Sequence, residues 1–276
     1  MHCKPICLIF SCLLFASTSH AVELCGKAVQ GEILVGHAQG ATSVIFNNHN
    51  IPVTADGTFL LALGRDEASQ AHLKVQDSDS MHEYKFAISP YAWDIQNIKG
   101  IPPRKVTPSD ADLRDIEFEQ KVVRAALQTQ SDQPYWQKGF IMPLNGRVSG
   151  NFGGQRIMNG VKKNPHAGMD IAAKAGTEVK APAAGTITLA QPNLFYSGNV
   201  VILDHGHGLH TIYAHLQQIN VKRGDTVQQG DILGLVGQTG RATGPHLHWG
   251  ASANGTKFNP PSLLNINKAD DFCFIL

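Results

Sequence analysis

The sequence has almost no excess of charge: 23 Lys and Arg stand against 22 Asp and Glu, for a formal net charge of +1. The basic residues are scattered among the acidic ones. A nucleic-acid surface needs a basic face or stripe, so that class of partner is excluded. Long apolar runs are also missing. The stretch from Pro5 to Ala16 is shorter than the roughly 20 residues that span a bilayer, and no later segment is apolar enough to try, so no stable membrane span is expected in the mature chain. Cysteine is sparse, five in 276 residues, and none has the spacing of a metal site. Before Pro134 there are no paired carboxylates, no glycine-rich phosphate loop and no metal-ligand spacing.

What is present begins with compartment. Lys4 precedes the apolar run, and Ser19-His20-Ala21 ends it in a small-x-small pattern, which reads as a signal peptide over residues 1–21. The expectation is export, to a periplasmic or extracellular location after cleavage. Cys3, Cys7 and Cys12 would leave with that segment, and Cys25 and Cys273 would remain. In an oxidising compartment an even pair favours a disulfide joining the two ends, two separate thiols being the alternative.

Hydrophobic content of 42% with 16% charged residues describes an ordinary globular chain, long enough for two domains. Residues 22–103 read as short strands such as Glu32–Val35, Ser43–Phe46 and Thr58–Leu63, with turns at Asn47–Asn50 and Asp56-Gly57, and imply a small β-sandwich-like module for positioning or binding. Residues 104–134 contain a helical stretch free of glycine and proline, entered at Ser109-Asp110 and continuing to about Gln130, which reads as a connector. Residues 135–265 alternate apolar residues with many glycines. They predict an antiparallel β domain with strands near Val179–Ala181, Gly185–Ala190, Val200–Leu203, Leu209–Tyr213, Ile232–Val236 and Leu247–Ala251, followed by a tail over 266–276. The whole is expected to be mainly β.

The chemistry gathers in this last domain. Three clusters carry it: His166-Ala167-Gly168-Met169-Asp170, Tyr213-Ala214-His215 and His246-Leu247-His248. On a strand, His246 and His248 share a face because side chains alternate with period two. A catalytic zinc site takes three imidazole or carboxylate ligands and keeps one position open, which His166, Asp170 and one of the strand pair satisfy. His215 and the remaining strand histidine then suit proton transfer beside the metal. His205, His207 and His210 lie close in sequence to this region and read as loop residues or as supports behind the ligands, outside the ligand set. No mature cysteine lies near the cluster, which argues against a thiol nucleophile.

These fragments strongly resemble the LytM/lysostaphin-type zinc metallopeptidases, which cleave peptidoglycan peptides. The resemblance covers Gly146–Gly153, His166–Ala173, Asp204–Gly208, Tyr213–Leu216, Gly237–His248 and Pro260–Leu264. It implies Zn2+ held by His166, Asp170 and His248, a catalytic pair of His215 and His246, and a C-terminal domain of LytM type acting as a peptidoglycan endopeptidase on stem peptides or their cross-links. Some relatives have lost these residues and act only as activators of other wall hydrolases, so a catalytically silent wall-binding activator is the alternative. A carrier barrel is a third reading, against which stands the lack of a lysine at the turn after Gly224–Asp231. A regulatory partner is left open.

Overall fold

The computed structural model describes residues 21–266 and 272–276; the expected signal segment, apart from Ala21, and tail residues 267–271 lie outside the described residues. In chain order the strands of the N-terminal part are β1 (Glu23–Cys25), β2 (Ile33–His37), β3 (Ser43–Phe46), β4 (His49–Ile51), β5 (Thr58–Ala62), β6 (Gln70–Gln76), β7 (Met81–Ala87) and β8 (Ile95–Ile98). Two helices follow, α1 (Pro103–Val106) and α2 (Asp110–Leu127). The C-terminal part holds β9 (Arg147–Gly150), β10 (Gln155–Met158), β11 (Val161–Lys162), β12 (Gly168–Ala172), β13 (Glu178–Lys180), β14 (Gly185–Leu194), β15 (Gly198–Asp204), β16 (Leu209–Ile219), β17 (Thr226–Val227), β18 (Ile232–Val236), β19 (His246–Ala253) and β20 (Thr256–Phe258), and β21 (Cys273–Ile275) closes the chain.

The expected sandwich is present. One sheet runs β21-β1-β2-β5 and the other β4-β3-β6-β7. In β6 the alternation that predicts a half-buried strand puts Ala71, Leu73 and Val75 inside, where they pack with Leu24, Leu34, Phe59 and Phe86. Burying each such Leu or Phe stabilises the fold by roughly 1.5–3 kcal/mol. Alternation in β2 and β5 serves a second purpose. Leu34, Phe59 and Leu61 face the sandwich core, whereas Ile33, Leu60 and Ala62 join a different core with Leu209, Tyr213, Trp249 and Phe258 of the C-terminal part. The β2–β5 sheet is thus covered on both faces. Cys25 lies opposite Cys273 in the β1–β21 register, and the two are joined by a disulfide.

The C-terminal part is built on one large sheet, in which β17-β14-β15-β16-β19-β12-β9 run side by side and β18 bridges β13 to β16. Its pairings are antiparallel. Strand β16 continues six residues past the predicted Tyr213, and it does so by changing partner. It pairs with β19 as far as Ala214 and with β18 from Leu216, and the bend falls on His215, which has φ of +66°. The interruption of apolar alternation at Ala214-His215 hides this continuation from a periodicity reading.

Helix α2 begins after Ser109, as its N-cap signal predicts, with the Asp112 carboxylate accepting the Ser109 backbone N–H at 3.0 Å. It ends at Leu127, where the Thr129 hydroxyl donates to the Ala126 carbonyl. Ala126, with Val122 and Val123, packs on Leu189, Leu194, Val200, Ile202 and Ala214. The connector is therefore a packing element of the large sheet. No helix among the described residues is long and apolar enough to cross a membrane.

Candidate metal centre and cleft

Three adjacent strands assemble the centre. Asp170 on β12 lies opposite His248 on β19, and His248 in turn lies opposite Ala214 on β16, one residue before His215. His166 sits two residues ahead of β12. Its backbone is bracketed by loop 151–154: His166 N–H donates to Gly154 O and Gly153 N–H donates to His166 O, both at 2.9 Å. Close approach of β12 to β19 requires Gly168, since a Cβ there would meet Trp249 O at 2.4 Å and His248 Cε1 at 2.8 Å.

The donor atoms of the three residues form a near-equilateral triangle. His166 Nε2 is 3.0 Å from His248 Nδ1 and 3.0 Å from Asp170 Oδ1, and His248 Nδ1 is 2.9 Å from Asp170 Oδ1. The protons available do not account for that packing. The His166 Nδ1–H donates to the Asn151 carbonyl at 2.9 Å, and because a carbonyl only accepts, Nε2 of the neutral ring presents a lone pair. Burial, outweighing the neighbouring Asp170, pulls the His166 pKa down to about 4, so the ring is neutral near pH 7. An ionised Asp170 carboxylate likewise has only lone pairs to offer at Oδ1. Two lone-pair atoms therefore converge with a third, His248 Nδ1, that can offer one proton at most. A cation resolves the conflict: tetrahedral bonds of about 2.0–2.2 Å place ligand atoms about 3.3 Å apart, close to the spacing found. Among the described residues, His166, Asp170 and His248 form the one such cluster that includes histidine.

The other oxygen of Asp170 is held by Arg156. The guanidinium Nη2 donates to Oδ2, leaving Oδ1 for the triangle. Such outer partners orient a metal-binding carboxylate. Arg156 lies on β10, which pairs in parallel with β8, so a strand from before the helices flanks the centre.

His215 and His246 stand next to the triangle with ring centroids 4.7 Å apart, and His246 Nε2 is 3.8 Å from Asp170 Oδ1. Each ring is oriented by a carbonyl: His215 Nδ1 donates to Thr239 O and His246 Nδ1 to Gly244 O, both at 2.8 Å. In both, Nε2 of the neutral ring is left as a proton acceptor. Burial, reinforced by His246 and His248, lowers the His215 pKa to about 3. The left-handed φ of His215, a conformation that a non-glycine residue adopts at some cost, is stabilised by its N–H donating to Ser197 O at 2.9 Å.

A cleft of about 760 Å³ opens over this centre, lined by His166, His215, His248, Tyr196 and Arg241, with Val106, Pro108, Ile116 and Gln120 of the helical segment as another part of its wall. Glu119 of α2, buried, accepts from Tyr196 N–H (2.7 Å), Ser197 N–H (3.0 Å) and the Ser197 hydroxyl (2.6 Å). All five predicted site residues therefore come together. His205 and His210 belong to a separate buried group: His205 bonds Ala184 O and Thr211 Oγ1, and His210 bonds Thr129 and Gly208. His207 bonds Asp132 O. Sequence reasoning missed Arg156, Glu119 and Arg241. Arg156 falls between recognisable fragments, and Glu119 is one acid among many on a charged helix.

Comparison with known proteins bears on this region. Residues 164–260 match the model of Peptidase family M23. The chain is 46% identical over 98 residues, 36% of its length, to the DD-carboxypeptidase/endopeptidase Mpg of Neisseria meningitidis serogroup B, covering 22% of that protein. It is 38% identical over 135 residues, 47% of its length, to the peptidoglycan DD-endopeptidase ShyA of Vibrio cholerae serotype O1, covering 31% of that protein. It thus spans between about a fifth and a third of the length of these curated relatives. A crystal structure of a putative peptidase M23 from Pseudomonas aeruginosa superposes with a TM-score of 0.69 at 28% identity, covering 88% of this chain and 97% of that one. The matched segment contains the whole triangle and both flanking histidines, so residues 164–260 carry a Peptidase family M23 domain.

Proposed function

We propose that this chain is an exported zinc-dependent endopeptidase that hydrolyses peptide bonds in peptidoglycan stem peptides or their cross-links. The observation that carries the reading is the triangle of His166 Nε2, Asp170 Oδ1 and His248 Nδ1, three donors converging with too few protons to satisfy one another, beside two more histidines whose Nε2 atoms are free to accept. His166, Asp170 and His248 would hold the metal. When bound, zinc supplies Lewis-acid polarisation of the scissile carbonyl and acidifies a water for attack at neutral pH.

The remaining work falls to His215 and His246. With Nδ1–H tied to a carbonyl, each keeps Nε2 free, able to take a proton from the attacking water and pass it to the leaving amine. Once protonated, either ring can donate to the oxyanion that develops on the carbonyl. His215 is kept unprotonated at neutral pH by its burial, so its Nε2 carries no proton at the start. Peptidoglycan as substrate is supported by the names of the relatives from Neisseria meningitidis and Vibrio cholerae. Export is supported by the leader pattern ending at Ala21.

The test is to incubate the purified chain with isolated peptidoglycan, with and without a chelator, and to identify released muropeptides by mass. Loss of peptide cross-links that stops with chelator and returns with zinc is the expected result. A zinc-loaded, folded protein that leaves all peptide bonds intact would refute the enzyme reading in favour of a silent activator.

A further inference from the structure

The cleft has a charge imbalance that the centre itself does not use. Arg156, Lys162, Lys163, Arg241 and Lys257 line it, and among the described residues no Asp or Glu side chain does. Arg156 is committed to Asp170. Arg241 is different. Its backbone N–H donates to Tyr196 O at 2.8 Å, and its guanidinium lies over the Tyr196 ring at 4.3 Å from the centroid. It has no carboxylate partner among the described residues. The nearby acid that would be expected to pair with it, Glu119, has its oxygens taken by Tyr196 and Ser197. Burial pulls the Arg241 pKa below its ordinary value, with Tyr196 and the nearby charge of Glu119 opposing and Arg156 adding to that effect.

A guanidinium stays charged in any protein, so a half-buried one with no carboxylate in direct contact is a standing cost to the fold. The guanidinium lies over the Tyr196 ring and lines the cleft, and its planar fork is the group that meets a carboxylate in two parallel hydrogen bonds. Resting on the peptidase reading of the same centre, we propose that Arg241 is a specificity-determining residue that binds a free carboxylate of the peptide substrate. The substrate class is then an acidic peptide carrying a carboxylate close to the bond to be cut, and α2 takes part indirectly. Through Glu119 it fixes the Tyr196-Ser197 turn on which Arg241 stacks.

The experiment measures calorimetric binding of one cross-linked muropeptide with its carboxyls free, and of the same muropeptide after carbodiimide amidation. Binding is read on the full chain carrying His246→Ala, so that turnover does not deplete the ligand. Charge-assisted hydrogen bonds of this kind predict that the free acid binds about ten- to a hundredfold more tightly. Adding Arg241→Gln should bring the two affinities to within about threefold of each other, and Arg241→Lys, which keeps the charge but not the fork, should fall between. Equal affinity for both peptides before Arg241 is changed, a comparison that needs no Arg241 variant to fold, overturns the assignment. So does a folded Arg241→Gln protein that keeps the full preference. Hydrolysis of the same two peptides by the unmutated chain is scored separately. An acid preference without cleavage would leave the Arg241 site standing and overturn the peptidase reading.

Discussion

Replacing Glu119 with Ala removes a carboxylate from a helix outside the residues 164–260 that match the family model, and the structure says what it should do. Glu119 accepts three hydrogen bonds, two from backbone N–H groups at Tyr196 and Ser197 and one from the Ser197 hydroxyl. Hydrogen bonds to a charged acceptor are worth about 1.5–3 kcal/mol each when the donor is left buried. The bonds share one acceptor and water can refill part of the gap, so the sum is not additive, and a loss of about 3 kcal/mol in unfolding free energy is expected. The consequence for turnover is more diagnostic. Ser197 O is the acceptor for the N–H of His215, whose left-handed backbone needs that support. When the turn relaxes, His215 loses its aim while His166, Asp170 and His248 keep theirs. Glu119→Ala should therefore retain its zinc, measured by mass spectrometry, while its turnover on muropeptides falls by about tenfold or more, positioning errors of an ångström being costly. Glu119→Gln, which keeps an amide oxygen as acceptor, should recover much of both losses. A folded Glu119→Ala protein with unchanged turnover would refute the coupling, as would one that loses its metal in parallel.

Two other substitutions probe other contacts. Gly168→Ala drives a Cβ against Trp249 O and His248 Cε1, so β12 and β19 must part. The expected cost is about 1–3 kcal/mol of overpacking, with a clear rise in the zinc dissociation constant seen by competition with a chelating dye; parent-like zinc affinity would contradict it. His205 is buried, with a pKa pulled down to about 3 by burial, so the unfolded chain binds its proton more readily than the folded one. Its contribution is fully present above about pH 6.5 and is lost as pH falls towards 3, since stability rises with pH wherever the unfolded state holds more protons. Denaturant titrations across that window should show a shallower pH slope for His205→Gln than for the parent, and parallel slopes would dismiss the effect.

Much of the centre was legible in the sequence because it obeys local periodicity. His246 and His248 fall on one face of β19 by alternation alone, and the resemblance of the fragments around them to LytM-type enzymes picks His248 as the ligand. Register then places Asp170 opposite His248. The strands of the sandwich were legible for the same reason, their apolar residues alternating between turn signals. What stayed hidden depends on contacts between distant segments. Nothing in Gln155-Arg156 announces that the arginine will meet Asp170, and nothing on α2 distinguishes Glu119 from Glu117 until the Tyr196-Ser197 turn is laid beside it. The carbonyls of Asn151, Thr239 and Gly244, which set the tautomers of three histidines, are backbone atoms and carry no sequence signal. The partner change in β16 hid for a related reason, because a bend at one residue erases the alternation on which strand prediction rests.

The central proposal is a division of labour, in which His166, Asp170 and His248 would bind the metal and His215 and His246 would move protons. Metal content and peptide-bond hydrolysis measured side by side on four folded variants test it most directly. His248→Ala and Asp170→Ala remove one of three protein donors and should lose zinc and activity together. His215→Ala and His246→Ala should hold zinc nearly as well as the parent and lose about 10²-fold or more in turnover. If His246→Ala loses its zinc while His248→Ala keeps it, the assignment within the strand pair is reversed; if all four stay fully active, the site is wrong.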